Sequence, residues 1–218
     1  MFDIQEVKKQ VAETAYKMVE SGLVMGTWGN VSARPGEDVV IITPSGKDYR
    51  QLKFADMVVV DFEGKVLEGK WSPSIELPLH LAIYRALPRA KAIVHTHSTF
   101  ATAFAVANRE LPVITEDMSQ VVGHNVKVAS YAEAGSEELA RICVETLGDD
   151  NAVLMANHGV IAVAEKLSEA LKICKVIEKA AEINIYASLL GGAKAIPADS
   201  VAEMRHFYLE RYSKFNKQ

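Results

Sequence analysis

AIVHTHS (residues 92–98) is an apolar run that ends in two histidines one residue apart. It is short, β-branched at its centre and followed by polar residues, so it reads as a buried strand. Side chains two apart on a strand leave the same face. His95 and His97 can therefore aim both imidazoles at one point while Thr96 faces away. By itself the pair also fits two hydrogen-bonded structural histidines, and the flanking sequence must decide.

Outward from this strand, helical and extended patterns alternate. Ile4, Val7, Val11, Ala15 and Met18 mark one face of an amphipathic helix ending near Gly22. VVIIT (39–43) and MVVVD (57–61) read as strands, and DFEGKVLE (61–68) as a hairpin turning at Glu63-Gly64. Ser74 to Leu87 reads as a helix with Pro78 in its first turn. After the histidine strand come a small-residue helix from Ser98 to Ala107 and a short strand at 126–129. Ser136 then caps a helix that carries Glu137 and Glu138 in its first turn. AVLMA (152–156) and GVIAVA (159–164) are strands split by Asn157-His158. Ser168 opens the longest helix, striped by Leu171, Cys174, Ile177, Ala181, Ile185 and Leu189 and stopped by Gly191-Gly192. A last helix runs from about Ser200 to Phe215. The expectation is one α/β (α+β layered) domain over residues 1–218, a mostly antiparallel sheet flanked by helices.

Composition narrows the function. The chain has 218 residues, 49% hydrophobic and 24% charged, with a net charge of −4, which suits a globular core and offers no basic patch for nucleic acid. No apolar stretch reaches the roughly 18 residues of a membrane span. Cys143 and Cys174 sit in helical, apolar surroundings and read as reduced packing residues. The expectation is a cytoplasmic protein with no membrane or nucleic-acid partner.

Other residues could join the histidine pair. His158, in MANHGVIAV (155–163), falls between two apolar strands, where Gly159 is expected to let the backbone turn. Glu76, in WSPSIELPLH (71–80), opens a helix, where a carboxylate can also serve the helix dipole alone. His80 lies four residues on and reads as structural. Three imidazoles and a carboxylate would suit Zn²⁺ or a similar divalent ion. GTWGNVS (26–32) and TPSGKDY (43–49) are turns that could point backbone N–H groups at an anion. Neither matches a nucleotide-binding fingerprint.

Together, GTWGNVSAR (26–34), ITPSGKDY (42–49), PSIELPLHLAIYRALP (73–88), AIVHTHS (92–98) and ANHGVIAVA (156–164) resemble the class II aldolase/adducin family, in order and over most of the chain. The resemblance implies that His95, His97 and His158 bind the metal, with Glu76 as fourth ligand and base. It implies Gly29, Asn30, Ser45, Gly46 and Ser74 as phosphate-binding positions, although Ile75 stands where many relatives carry a second serine. It implies Zn²⁺, with Mn²⁺ or Co²⁺ as alternatives, phosphorylated ketose and aldehyde substrates, and a homotetramer with active sites between subunits. Tyr212 roughly matches a tyrosine that closes the aldolase site. In TEDM (115–118), Asp117 is the nearer match to a second acid/base and Glu116 the alternative; both can equally be solvated loop acids.

Within the family, Glu at position 76 favours an aldolase acting on a 1-phosphoketose of the L-fuculose-1-phosphate type. A ketose-phosphate 4-epimerase or a methylthioribulose-1-phosphate dehydratase-type enzyme is the alternative, supported by TEDM and Ile75. A non-catalytic adducin-like scaffold would have lost the ligands that are present here.

Overall fold

The computed structural model describes residues 3–212, Tyr212 by its backbone alone. Phe215, the expected end of the last helix, lies outside them. Eight strands among the described residues form one sheet: β1 (Asn30–Ala33), β2 (Val39–Ile42), β3 (Val58–Asp61), β4 (Val66–Glu68), β5 (Ala92–Thr96), β6 (Val128–Ala129), β7 (Ala152–Met155) and β8 (Gly159–Ala164). Their order is β4-β3-β2-β1-β5-β8-β7-β6. Every pairing is antiparallel except β6 with β7. The histidine strand β5 is central, with Asn30 of β1 opposite His95 on one side and Val160 of β8 opposite Thr96 on the other.

An antiparallel sheet with one wet face alternates apolar and polar residues, whereas these strands are apolar almost throughout because both faces are covered. Ala92 and Val94 of β5, Val160 and Ala162 of β8 and Leu154 of β7 enter one core. Ile93, Ile161, Val163 and Val153 enter the other. The first face packs against α1 (Ile4–Glu20), α3 (Thr99–Val106), α4 (Glu116–Val121), α6 (Leu167–Leu189) and α7 (Ala198–Phe207). The second packs against α2 (Leu77–Ala86) and α5 (Glu137–Leu147). His95 has the parity of Ile93, so it points to the α2 side.

Local chemistry sets the element ends. Asp3 caps α1 by accepting from the Gln5 and Glu6 amides. The Ser136 hydroxyl accepts from the Leu139 amide at 3.1 Å, the expected cap of α5. α2 begins at Leu77, three residues later than expected, with Pro78 in its first turn where its missing N–H costs nothing. Ser74 is thereby left in the turn before the helix. Helix α4 was not expected: TEDM is helical because Thr115 caps it, accepting from the Met118 amide at 3.4 Å. The last helix ends in a π-helical turn, Tyr208–Tyr212.

Candidate active site

Three chain ends converge at the carboxyl end of β5. His95 is the penultimate strand residue and His97 lies just beyond it. The β7–β8 turn brings His158 alongside, and Glu76 arrives as the N-cap residue of α2. The left-handed residue of the β7–β8 turn is Asn157, at φ +58°, and not the expected Gly159. Gly159 matters for room: a Cβ there would lie 2.2 Å from the Thr96 carbonyl oxygen and 3.2 Å from Cε1 of His95. Gly29 meets two demands, φ +81° and a virtual Cβ 2.6 Å from the His95 carbonyl oxygen.

The three imidazoles meet edge to face, with ring centroids 4.7–4.9 Å apart. Nε2 of His95 is 2.8 Å from Nε2 of His97 and 3.1 Å from Oε2 of Glu76. Nε2 of His158 is 3.2 Å from Oε1 of Glu76. His95 donates its Nδ1–H to the Val160 carbonyl at 2.9 Å, so that in the neutral ring the lone pair is on Nε2, aimed into the cluster. Glu76 caps no amide of its own helix. Its Oε2 accepts from Nδ2 of Asn30 at 2.7 Å, while its buried Oε1 makes no hydrogen bond.

This donor set fits a divalent cation. A tetrahedral ion with bonds of about 2.0–2.2 Å spaces its ligand atoms about 3.3–3.6 Å apart, close to the separations above. Burial would raise the Glu76 carboxyl, but His95, then His158 and the Asn30 amide hold it far below the usual carboxylate range. Burial, with His95 and His158 adding to it, pushes His97 down to about 3. Burial and then His95 push His158 down to about 4. Both rings are therefore neutral at pH 7 and have no proton to lose before binding a metal. His95 moves the other way: burial lowers it, and the Glu76 carboxylate more than reverses that.

The cluster opens into a cavity of about 620 Å³ lined by Glu76, His97, His158 and the predicted phosphate positions Gly29, Asn30, Ser45, Gly46 and Ser74. Two loops form its cradle, held together by backbone bonds from Ser45 N to Ser72 O (3.0 Å) and from Ser74 N to Thr43 O (3.1 Å). Tyr49 donates its hydroxyl to the Gly29 carbonyl and ties in the third turn. Exposed Trp28 stands over His97, with centroids 5.9 Å apart, and exposed Ile75 and Tyr131 complete the rim.

The predicted acid/base pair is not brought to this cavity. Asp117, in the first turn of α4, pairs with Lys179 of α6 at 2.8 Å, and Glu116, which opens the helix, is exposed. The Tyr212 side chain lies outside the described part. Sequence reading gave no role to Asn157, Trp28 or Tyr131. Asn157 next to a strand-end histidine was the readable signal, since asparagine tolerates left-handed backbone.

Comparison with known proteins agrees with this geometry. The class II aldolase and adducin N-terminal domain model matches residues 9–185. The chain is 36% identical over 202 residues to a 5-deoxy-D-ribulose 1-phosphate aldolase of Bacillus thuringiensis serovar kurstaki, covering 92% of this chain and 94% of that one. It is 34% identical over 199 residues to an L-fuculose phosphate aldolase of Escherichia coli, covering 91% of each. A solved L-fuculose 1-phosphate aldolase superposes with a TM-score of 0.90 at 36% identity, over 94% of this chain and 96% of that one. With its strand-end histidines, N-cap glutamate and sheet order placed as they are, the chain belongs to the class II aldolase and adducin family.

Proposed function

We propose that this protein is a divalent-metal-dependent sugar-phosphate aldolase, reversibly cleaving a 1-phosphoketose of the L-fuculose-1-phosphate type to dihydroxyacetone phosphate and an aldehyde. One observation carries the reading. Glu76 stands at a helix start yet caps nothing, and is buried among histidines at the floor of a cavity whose cradle is built of turns. A carboxylate serving only the helix dipole would face its own amides.

His95, His97 and His158 would hold the ion, with Glu76 beside them, and Zn²⁺ suits the donors best, Mn²⁺ and Co²⁺ being the alternatives. When bound, it supplies Lewis-acid polarisation of the substrate carbonyl. The chain's own residues do the rest. Ser45, Gly46 and Ser74, with the Gly29-Asn30 turn, bind the phosphate and set the register of the reacting carbons. Glu76 takes the proton from the carbon that becomes the nucleophile, through Oε1, the oxygen without a hydrogen bond.

Glu76 is the single carboxylate among the described residues lining the cavity. A second acid/base carboxylate, or a tyrosine other than Tyr49 and Tyr131 of the lining, would therefore reach it from elsewhere. Asp117, with Glu116 as the alternative, and Tyr212 fill that role in a homotetramer whose sites lie between subunits. The chain acts on small phosphorylated substrates in the cytoplasm, without a nucleic-acid or membrane partner.

The test is a panel of ketose phosphates with dihydroxyacetone phosphate followed through a coupled dehydrogenase. Release from at least one 1-phosphoketose is expected. No release from any, with water loss or epimerisation in its place, would overturn the proposal.

A further inference from the structure

The buried side chains behind Glu76 form one continuous line. Glu76, His80 and Tyr84 recur at four-residue steps at the start and along one face of α2, and Asn30 and Ser32 alternate on the facing side of β1. Nδ2 of Asn30 is 2.7 Å from Oε2 of Glu76, and Oδ1 of Asn30 is 2.5 Å from Nε2 of His80. Nδ1 of His80 is 2.6 Å from the Ser32 hydroxyl, which is 2.8 Å from the Tyr84 hydroxyl. His80, Ser32 and Tyr84 are fully buried and Asn30 nearly so.

With His80 neutral, only one assignment of protons satisfies every member of this line. The Glu76 carboxylate can only accept, so Asn30 must turn its amide nitrogen toward it and its oxygen toward His80. His80 must then carry its proton on Nε2 to donate to that oxygen. Neutral His80 leaves Nδ1 bare, and Ser32 donates there. The lone pairs of Ser32 are then free to accept from Tyr84. Burial keeps the ring neutral, pushing His80 down to about 3. Burial also moves Tyr84 above its usual range, so its hydroxyl keeps the proton it donates.

We infer that His80 is a positioning residue: through Asn30 it locks Glu76 with Oε2 tied by a hydrogen bond and Oε1 left without one, beside Nε2 of His158. This rests on the aldolase reading for its catalytic consequence, though the proton arrangement does not. A ring held in a reversed tautomer would turn the Asn30 oxygen against the carboxylate and release it. Removing the ring would leave Asn30 free to flip.

Two measurements test it on the full chain. Nitrogen–proton correlation spectra of the metal-free wild type at neutral pH should show His80 as the neutral Nε2–H tautomer. An Nδ1–H tautomer or an imidazolium there overturns the inference, whatever the enzyme does.

The second compares metal-loaded His80→Phe and His80→Gln. His80→Phe should keep its metal and its KM but lose about 10–100-fold in kcat, the usual cost of removing an outer partner. Gln offers an amide donor toward Asn30 and an acceptor toward Ser32, and should restore most of that loss. Unchanged kcat in folded His80→Phe, or no rescue by Gln, overturns the inference. The exchange of dihydroxyacetone phosphate protons with deuterated water isolates the step assigned to Glu76. If wild type fails to exchange, the aldolase reading falls, and the tautomer measurement still decides the line.

Discussion

Gly159→Ala is a test of how tightly the site is tied to the sheet. The backbone at Gly159 is not left-handed, so alanine brings no torsional penalty, and the whole cost is steric. Its Cβ would sit 2.2 Å from the Thr96 carbonyl oxygen, about 1 Å inside any tolerable contact. That oxygen belongs to the central strand, so β8 must move away from β5. A shift of about 1 Å would stretch the bond from Nδ1 of His95 to the Val160 carbonyl, now 2.9 Å, past hydrogen-bonding range. Overpacking costs about 1–3 kcal/mol and an unpaired buried donor about 1–3 kcal/mol more. At about 2–4 °C per kcal/mol for a chain of this size, Tm should fall by about 5–20 °C. His95 would lose the partner that fixes its tautomer, and metal affinity should fall about 10–100-fold. Calorimetry and chelator competition read both effects, with Asn157→Gly as a control that keeps the left-handed turn. A Gly159→Ala protein with wild-type Tm and metal affinity would refute the reasoning.

Other substitutions probe the remaining links. His97→Ala should lose the divalent ion and the activity while keeping its circular dichroism spectrum; full metal content by elemental analysis would contradict the assignment. Ile75 is exposed at the cavity rim, so Ile75→Ser should leave stability alone. One added hydroxyl donor should lower KM for the phosphorylated ketose about 2–10-fold, and an unchanged KM would remove position 75 from the phosphate site. Burial pushes Cys143 and Cys174 up to about 12, so neither should react with a disulfide reagent at pH 8 until the protein is unfolded, when both should. His80 has a folded value near 3 against about 6.5 unfolded, so the unfolded chain binds the extra proton between these values. Its contribution is complete above pH 6.5, is lost as pH falls toward 3, and amounts to about 2 kcal/mol lost at pH 5. His97 and His158, also held low by burial, add the same pH dependence to both proteins, so denaturant titrations at pH 7 and pH 5 should show a loss about 2 kcal/mol larger in wild type than in His80→Gln.

Most of the sheet was legible because its strands are short runs, mostly β-branched, punctuated by glycine, aspartate and proline; β1 was not, since Asn30 to Ser32 lie in the stretch that reads as a turn and become a strand by pairing with β2 and β5. Element starts were less so. The helix expected from Ser74 begins at Leu77 because Ser74 is bonded across to Thr43, a partner 31 positions away that no local pattern announces. Helix α4 is too short for any periodicity to show.

The site divides along the same line. The parity of His95 and His97 follows from strand geometry and could be read directly. Glu76, His158 and Asn30 could not be assigned from their own surroundings, because a first-turn carboxylate, a turn histidine and a turn asparagine are ordinary structural residues in most proteins. What separates the two readings here is the partner each one chooses. Glu76 declines the amides of its own helix and takes Asn30, 46 residues away, and the histidines instead. Asn30 in turn is held by His80, a residue that reads as structural and is so in its contacts. The same contacts give it a purchase on the carboxylate. In this fold the distinction between a residue that packs and a residue that serves the chemistry is therefore made by the direction of a hydrogen bond, which sequence spacing does not carry.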